Sequence, residues 1–157
     1  MRARAALRSQ LFLFVLLLLP GLAWSETLAP ALPSGLATGG TAVVAETIDG
    51  DSVVLADGRT VRLIGIQAPK LPKGRHFAPW PLAETAKAEL QSLVQGKSVA
   101  LYFGGAREDR YGRVLAQLVR DDGLWIEGEL LRRGFARVYT FPDNRAAAKA
   151  LYALESE

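Results

Sequence analysis

TAVVAETIDGDSVVLADGRTVRLIGI, residues 41–66, alternates apolar and polar side chains in short runs separated by two Asp-Gly steps. Alternation with a period of two marks strands with one buried face, and Asp-Gly is a favoured hairpin turn. Residues 41–48, 52–55 and 60–66 are therefore predicted as a three-strand meander, turned at Asp49-Gly50 and at Asp57-Gly58. A two-residue turn at Asp57-Gly58 pairs Leu55 with Thr60, Val53 with Arg62 and Asp51 with Ile64. That register puts Asp51 and Arg62 on one face as diagonal neighbours, while Val54, Val61 and Leu63 point into the interior. Taken alone, such a carboxylate–guanidinium pair is an ordinary surface ion pair, worth about 0–1 kcal/mol.

Downstream, a Pro-rich loop over residues 68–80 leads to Pro81, which opens a helix with Leu82, Ala86, Leu90, Leu93 and Val94 on one face and Gly96 at its end. Residues 98–103 and 114–119 read as two further strands around a polar loop containing Gly104-Gly105 and Asp109-Arg110-Tyr111-Gly112-Arg113. Residues 126–133 form a short helix stopped by Gly134, and a last helix starts at Asn144 after Pro142-Asp143, with Leu151 and Leu154 docked on the strands. The order is βββ-α-ββ-α-α, a mainly β, α+β class. Five short strands with a helix between the third and fourth predict a five-stranded OB-fold barrel with three helices. Barrels of this kind host many activities, so function has to be read from the site.

Upstream, Arg2, Arg4 and Arg8 precede an apolar stretch over residues 11–19 and the small-residue step Ala23-Trp24-Ser25, the pattern of a signal peptide over residues 1–25. The apolar run is far shorter than the roughly 20 residues of a membrane span. Residues 26–40 read as a flexible linker and residues 41–157 as the domain, exported to the periplasm or beyond with no span left after cleavage. The net charge of +3 resides in the leader: without its three arginines the 19 basic residues fall to 16, against 16 acidic ones. Overall charge therefore gives no argument for nucleic acid, and any such binding has to come from local placement. With no cysteine in the chain, disulfides, thiolate metal sites and a cysteine nucleophile are excluded.

A second arginine, Arg113, follows the Asp109-Arg110-Tyr111-Gly112 turn into the fifth strand. Arginine suits phosphate because its planar fork donates two parallel hydrogen bonds and keeps its charge. Asp49-Gly50-Asp51-Ser52, then Val61-Arg62-Leu63-Ile64-Gly65-Ile66 running into Ala68-Pro69, then Asp109-Arg110-Tyr111-Gly112-Arg113-Val114-Leu115-Ala116, then residues 130–136 resemble in order and spacing the staphylococcal nuclease (thermonuclease) family. The resemblance covers Thr41 to about Phe141. It implies phosphodiester hydrolysis in which two Asp and a backbone carbonyl hold calcium, a Glu activates water, and two Arg grip the phosphate. By that resemblance Asp51 is the first metal ligand, Arg62 and Arg113 are the phosphate arginines, and Tyr111 and Tyr139 lie at nucleotide-contacting positions.

Two positions depart from the pattern. The second metal Asp falls on Gln67, beside the Ala68 carbonyl, and the catalytic Glu falls on Lys70. Calcium prefers several hard, anionic oxygens, so an amide in place of a carboxylate and an added ammonium both weaken it. Lysine, with an ordinary pKa of about 10.4, is a cation at neutral pH and does not accept a proton there. The expected function is binding of a phosphate, nucleotide or nucleic-acid anion by Arg62, Arg113 and Lys70, with nuclease activity reduced or lost and calcium held weakly at best. A second reading keeps hydrolysis and moves the base to Glu84 or Asp49. A third makes the domain a protein-interaction module through the Pro-rich loop, with His76, Phe77 and a Trp80 that is expected to pack mainly against the barrel.

Overall fold

A computed structural model describes residues 31–72, 78 and 80–157. The leader, the first part of the linker, His76 and Phe77 lie outside the described residues. Strand β1 (Ala37–Asp49) is long and bent: its first half pairs with β5 (Ser98–Phe103) and its second half with β2 (Ser52–Leu55). It begins within the stretch expected to be linker, because small residues there admit an aromatic ring. A side-chain carbon on Gly39 would lie 2.2 Å from the Phe103 ring, so glycine lets β1 continue beneath that ring.

The hairpin from β2 to β3 (Thr60–Leu63) differs from the expected register by one residue. Ser52 pairs with Arg62, Val53 with Val61 and Val54 with Thr60. The turn has three residues, Ala56, Asp57 and Gly58: Leu55 N–H donates to the Arg59 carbonyl at 2.8 Å, and Gly58 takes a φ of 88°. Such a turn ends in a left-handed bulge, which adds the residue that shifts the pairing. Val53 and Leu55, rather than Val54, join Val61 and Leu63 in the core.

The predicted strand over residues 60–66 is in fact two. At Ile64-Gly65 the chain turns out of the barrel, Gly65 adopting a φ of 85°, and β4 (Gly65–Gln67) pairs instead with β7 (Arg137–Tyr139). β3 meanwhile runs parallel to β6 (Val114–Arg120), and this seam closes a barrel in the order β1-β2-β3-β6-β5. The five-stranded barrel with three helices is thus present, with β4 and β7 as an added two-stranded flap.

Helix α1 (Ala83–Val94) buries Ala83, Ala86, Leu90, Leu93 and Val94, as its apolar spacing predicts. Leu82 leaves that face: it precedes the helix in a left-handed conformation and is 60% exposed. Trp80, expected to pack mainly against the barrel, is 50% exposed. Helices α2 (Ile126–Arg132) and α3 (Ala148–Glu155) pack on each other, and Leu151 is buried with Leu154 against the same core. α3 starts later than Asn144, whose side-chain N–H donates to the Ala106 carbonyl at 2.9 Å and so pins the preceding turn.

Gln117, buried at the base of the flap, donates to the Ile64 carbonyl at 2.9 Å and accepts Trp125 Nε1–H at 2.8 Å. An L side chain on Gly65 would be strained at its positive φ and would lie 2.3 Å from Leu151 Cδ1. Gly65→Ala is expected to lower unfolding free energy by about 3 kcal/mol through strain and overpacking, measured by urea denaturation followed by circular dichroism.

Candidate functional site

The turn Asp49-Gly50-Asp51 is pressed between the chain after β4 and helix α1: a side-chain carbon on Gly50 would sit 2.6 Å from Ala68 Cβ and 2.9 Å from Ala86 Cβ. This contact drives Asp51 inside, where it is 0% exposed. A buried carboxylate is costly unless it is paired and hydrogen-bonded. Here Lys70 Nζ lies 2.5 Å from Oδ1 and 2.6 Å from Oδ2, Ala68 N–H donates to Oδ2 at 2.8 Å, Ser52 Oγ–H donates to Oδ1 at 3.2 Å, and Arg62 Nη2 stands 3.3 Å from Oδ2. Asp51 and Arg62 meet as expected, but inside the protein. The contact arises because Asp51 lies in the turn before β2, where strand alternation does not apply.

Arg62 is 13% exposed and its fork is largely committed to main chain. Nη1 donates to the carbonyls of Asp51, at 3.3 Å, and of Leu63, while Nη2 donates to that of Ile66 at 2.7 Å. The guanidinium braces the turn where β3 becomes β4. Arg113 is more open: Nε and Nη2 bind Asp109 Oδ2 at 2.8 and 2.7 Å, leaving Nη1 directed elsewhere. Burial pulls the Asp109 pKa up, but hydrogen bonds from the backbone and side chain of Arg113 outweigh it and hold the carboxyl below its ordinary value. Asp49 behaves alike: burial raises it, and the Lys70 ammonium 3.6 Å away with the Asp51 N–H brings it below normal.

Arg62, Gln67, Lys70, Arg113, Tyr111 and Tyr139 all line one cleft of about 490 Å³. Tyr111, 75% exposed, has the Arg110 and Arg113 guanidiniums each 5.7 Å from its ring centre. Tyr139 meets Phe141 edge-on at 5.1 Å. The cleft walls carry four cations, Arg62, Lys70, Arg110 and Arg113, and four carboxylates, Asp49, Glu108, Asp109 and Asp143. Of the alternative bases, Asp49 lines the cleft, whereas Glu84 lies on the first turn of α1, away from it.

Gln67 does not face Asp51. Its Oε1 accepts from Arg137 Nη2 at 2.7 Å and Nε at 3.2 Å across the β4–β7 pair. Calcium takes six to eight oxygen ligands, and this donor set does not fit it. Both Asp51 oxygens already hold an ammonium, Gln67 is turned toward Arg137, and no group of three acidic or imidazole side chains converges among the described residues.

Two residues that border the site without lining the cleft were not apparent from sequence. Arg137 sits on a three-residue strand, too short to show alternation. Glu127, in the first turn of α2, reads in sequence as an acid favoured by the helix dipole, yet it is fully buried and both its oxygens accept Leu118 N–H at 3.1 Å. Burial raises its pKa to about 8 against the lowering effects of the Leu118 hydrogen bond and the Arg62 charge.

The model of the family described as staphylococcal nuclease homologue matches residues 60–157. The chain belongs to that family. It is 35% identical over 100 residues to an "Uncharacterized endonuclease" of Escherichia coli, covering 61% of this chain and 59% of that protein. It is 36% identical over 102 residues to "Endonuclease YncB" of Bacillus subtilis (strain 168), covering 62% and 47%. A probable staphylococcal-like nuclease of Oryza sativa subsp. japonica is 37% identical over 92 residues, covering 59% and 25%. The chain thus spans less than two thirds of the length of each of these relatives of the nuclease family.

Because the Glu127 pKa is about 8 in the folded chain and near the ordinary 4.5 when unfolded, the folded state holds this proton more tightly. Its contribution is therefore fully present below pH 4.5 and is lost as pH rises through 8. Wild-type stability is expected to fall by several kcal/mol between those limits relative to Glu127→Gln, which carries no such proton, as read from urea midpoints of both proteins across pH 4–9.

Proposed function

We propose that this chain is a nuclease-family domain that holds phosphate-type anions, nucleotides or nucleic acid in the cleft of Arg62, Lys70 and Arg113, and that its phosphodiester cleavage is reduced or lost. One observation carries the reading: the Lys70 ammonium lies 2.5 and 2.6 Å from the two oxygens of Asp51. A cation of the chain itself stands at the carboxylate that the family resemblance assigns to calcium. The same side chain replaces the expected acidic base, and at neutral pH an ammonium has no lone pair with which to take a proton from water.

Arg113 supplies the anion's anchor, since its guanidinium has N–H groups beyond those bound to Asp109. Lys70 contributes charge at the cleft wall, and Arg62 holds the wall in shape while adding a positive field. Tyr111 and Tyr139 offer ring faces on which a base can stack. Calcium affinity is correspondingly weak, and anion binding does not need the ion. The basic, then apolar, leader supports placing the domain in the periplasm or outside the cell.

Calorimetric titration of the purified chain with a nucleoside 3′,5′-bisphosphate, with and without EDTA, is expected to give equal affinities, lowered about tenfold by Arg113→Ala. Titration with calcium alone is expected to show no saturation below about 1 mM. The double change Gln67→Asp with Lys70→Glu is expected to create calcium-dependent cleavage of single-stranded DNA at least about 100-fold above the parent. Tight calcium binding with rapid DNA digestion by the unmodified chain would overturn the proposal.

A further inference from the structure

The face of the β4–β7 flap that borders the cleft carries four positions: Gln67 opposite Arg137, and Gly65 opposite Tyr139. Gly65, Ile66, Gln67 and Tyr139 all line the cleft, Ile66 with a fully buried side chain. Arg137 lies just outside that lining and joins it through Gln67, its cross-strand partner, to which it is hydrogen-bonded. Its guanidinium lies 5.9 Å from the Tyr139 ring centre, alongside the aromatic wall.

The chemistry of the pair is one-sided. A guanidinium only donates, so the Gln67 atom that meets Arg137 Nη2 at 2.7 Å and Nε at 3.2 Å has to be its carbonyl oxygen. With its acceptor committed, the amide presents only its two N–H groups. Arg137 uses two of its five N–H groups on Gln67, and the other three have no protein acceptor among the described residues. Where the family resemblance calls for a metal-binding carboxylate, this chain displays an edge made solely of donors.

Charge points the same way. Buried Asp51 adds a fifth carboxylate behind the four on the cleft walls, against four cations. Arg137, bonded to the lining residue Gln67, is a fifth cation beside them. Without it a phosphate approaches a site with one acid too many, and with it the two signs balance and the nearest free N–H groups attract an anion.

We propose that Gln67 and Arg137 form a second anion-gripping element, taking phosphate oxygens of a single-stranded polynucleotide whose neighbouring phosphate is held at Arg113. The inference rests on the anion-binding reading above. Gln67 keeps the Arg137 fork aligned and adds its own amide N–H groups. Arg137 supplies charge and bidentate geometry.

The test is binding of a labelled single-stranded oligodeoxynucleotide in EDTA at several salt concentrations, by wild type, Arg113→Ala, Arg137→Gln, Arg137→Lys and Gln67→Glu. Arg137→Gln is expected to weaken binding about tenfold and to reduce the slope of log K against log salt by about 0.7, the contribution of one phosphate contact on a single strand. Arg137→Lys is expected to restore the slope but only part of the affinity, because the ammonium keeps the charge and loses the fork. Gln67→Glu is expected to weaken binding by more than tenfold, since it replaces two donors with a negative charge. Arg137 is exposed, so unchanged thermal melting of its variants separates lost contact from lost folding. Wild-type affinity and slope retained in Arg137→Gln would overturn this inference while leaving the cleft reading intact, provided Arg113→Ala weakens binding. No binding by the wild type, or none lost in Arg113→Ala, would overturn the cleft reading and this inference with it.

Discussion

A carboxylate shut away from water has to be neutralised, and the arrangement around Asp51 follows from that requirement. Gly50, lacking a side chain, lets the turn press against Ala68 and Ala86, and the buried Asp51 draws to it an ammonium, a guanidinium, a main-chain N–H and a hydroxyl. Removal of any one charged partner from such a cluster is far costlier than its net worth suggests, because an unpaired buried charge remains. The two departures from the family pattern are best understood as one coupled change. Lys70 brings positive charge to Asp51, and Gln67 gives up a carboxylate that would otherwise tie up the Arg137 fork with a full negative charge. Relative to the family pattern, the amide at position 67 makes the cleft more positive by one unit and the ammonium at position 70 by two.

The site is also held from behind. Gln117 fastens the Ile64 carbonyl and Trp125, and Arg62 ties the carbonyls on both sides of the same turn. On the outer layer Glu129, nearly buried, binds Arg132 and Arg133, and Arg133 reaches Glu89 at 2.5 Å, linking α2 to α1. The Gln117 and Arg62 bonds hold the turn from which the flap carrying Gln67 and Arg137 departs. The polar groups of the cleft consequently rest on a framework set by the barrel, which is what precise recognition of a small anion requires.

Much of the barrel was legible because its code is local. The alternation of β5, the apolar stripe of α1 and the stop signals after α1 and α2 appear in the sequence with little shift. What escaped depends on distant partners. Gly39 reads as a linker residue until Phe103 is placed over it. The pairing of β2 with β3 turns on whether the loop holds two or three residues, which Asp57-Gly58 leaves open. β4 and β7 have three residues each and exist only because they meet. At the site, the family resemblance grouped Arg62, Lys70, Arg113 and the two tyrosines, and these residues line one cleft. The commitment of each hydrogen bond, and the burial of Glu127, depend on where carbonyls point after folding.

The bracing of the β3–β4 turn by Arg62 has a consequence for how relatives of this protein are read. A guanidinium that fastens three carbonyls next to the parallel seam closing the barrel is under architectural selection whatever passes through the cleft. Persistence of that arginine in a homologue is therefore no gauge of hydrolytic competence. On the function proposed above, the informative positions are 67 and 70, where carboxylates would favour a metal ion and the amide and ammonium present here do not.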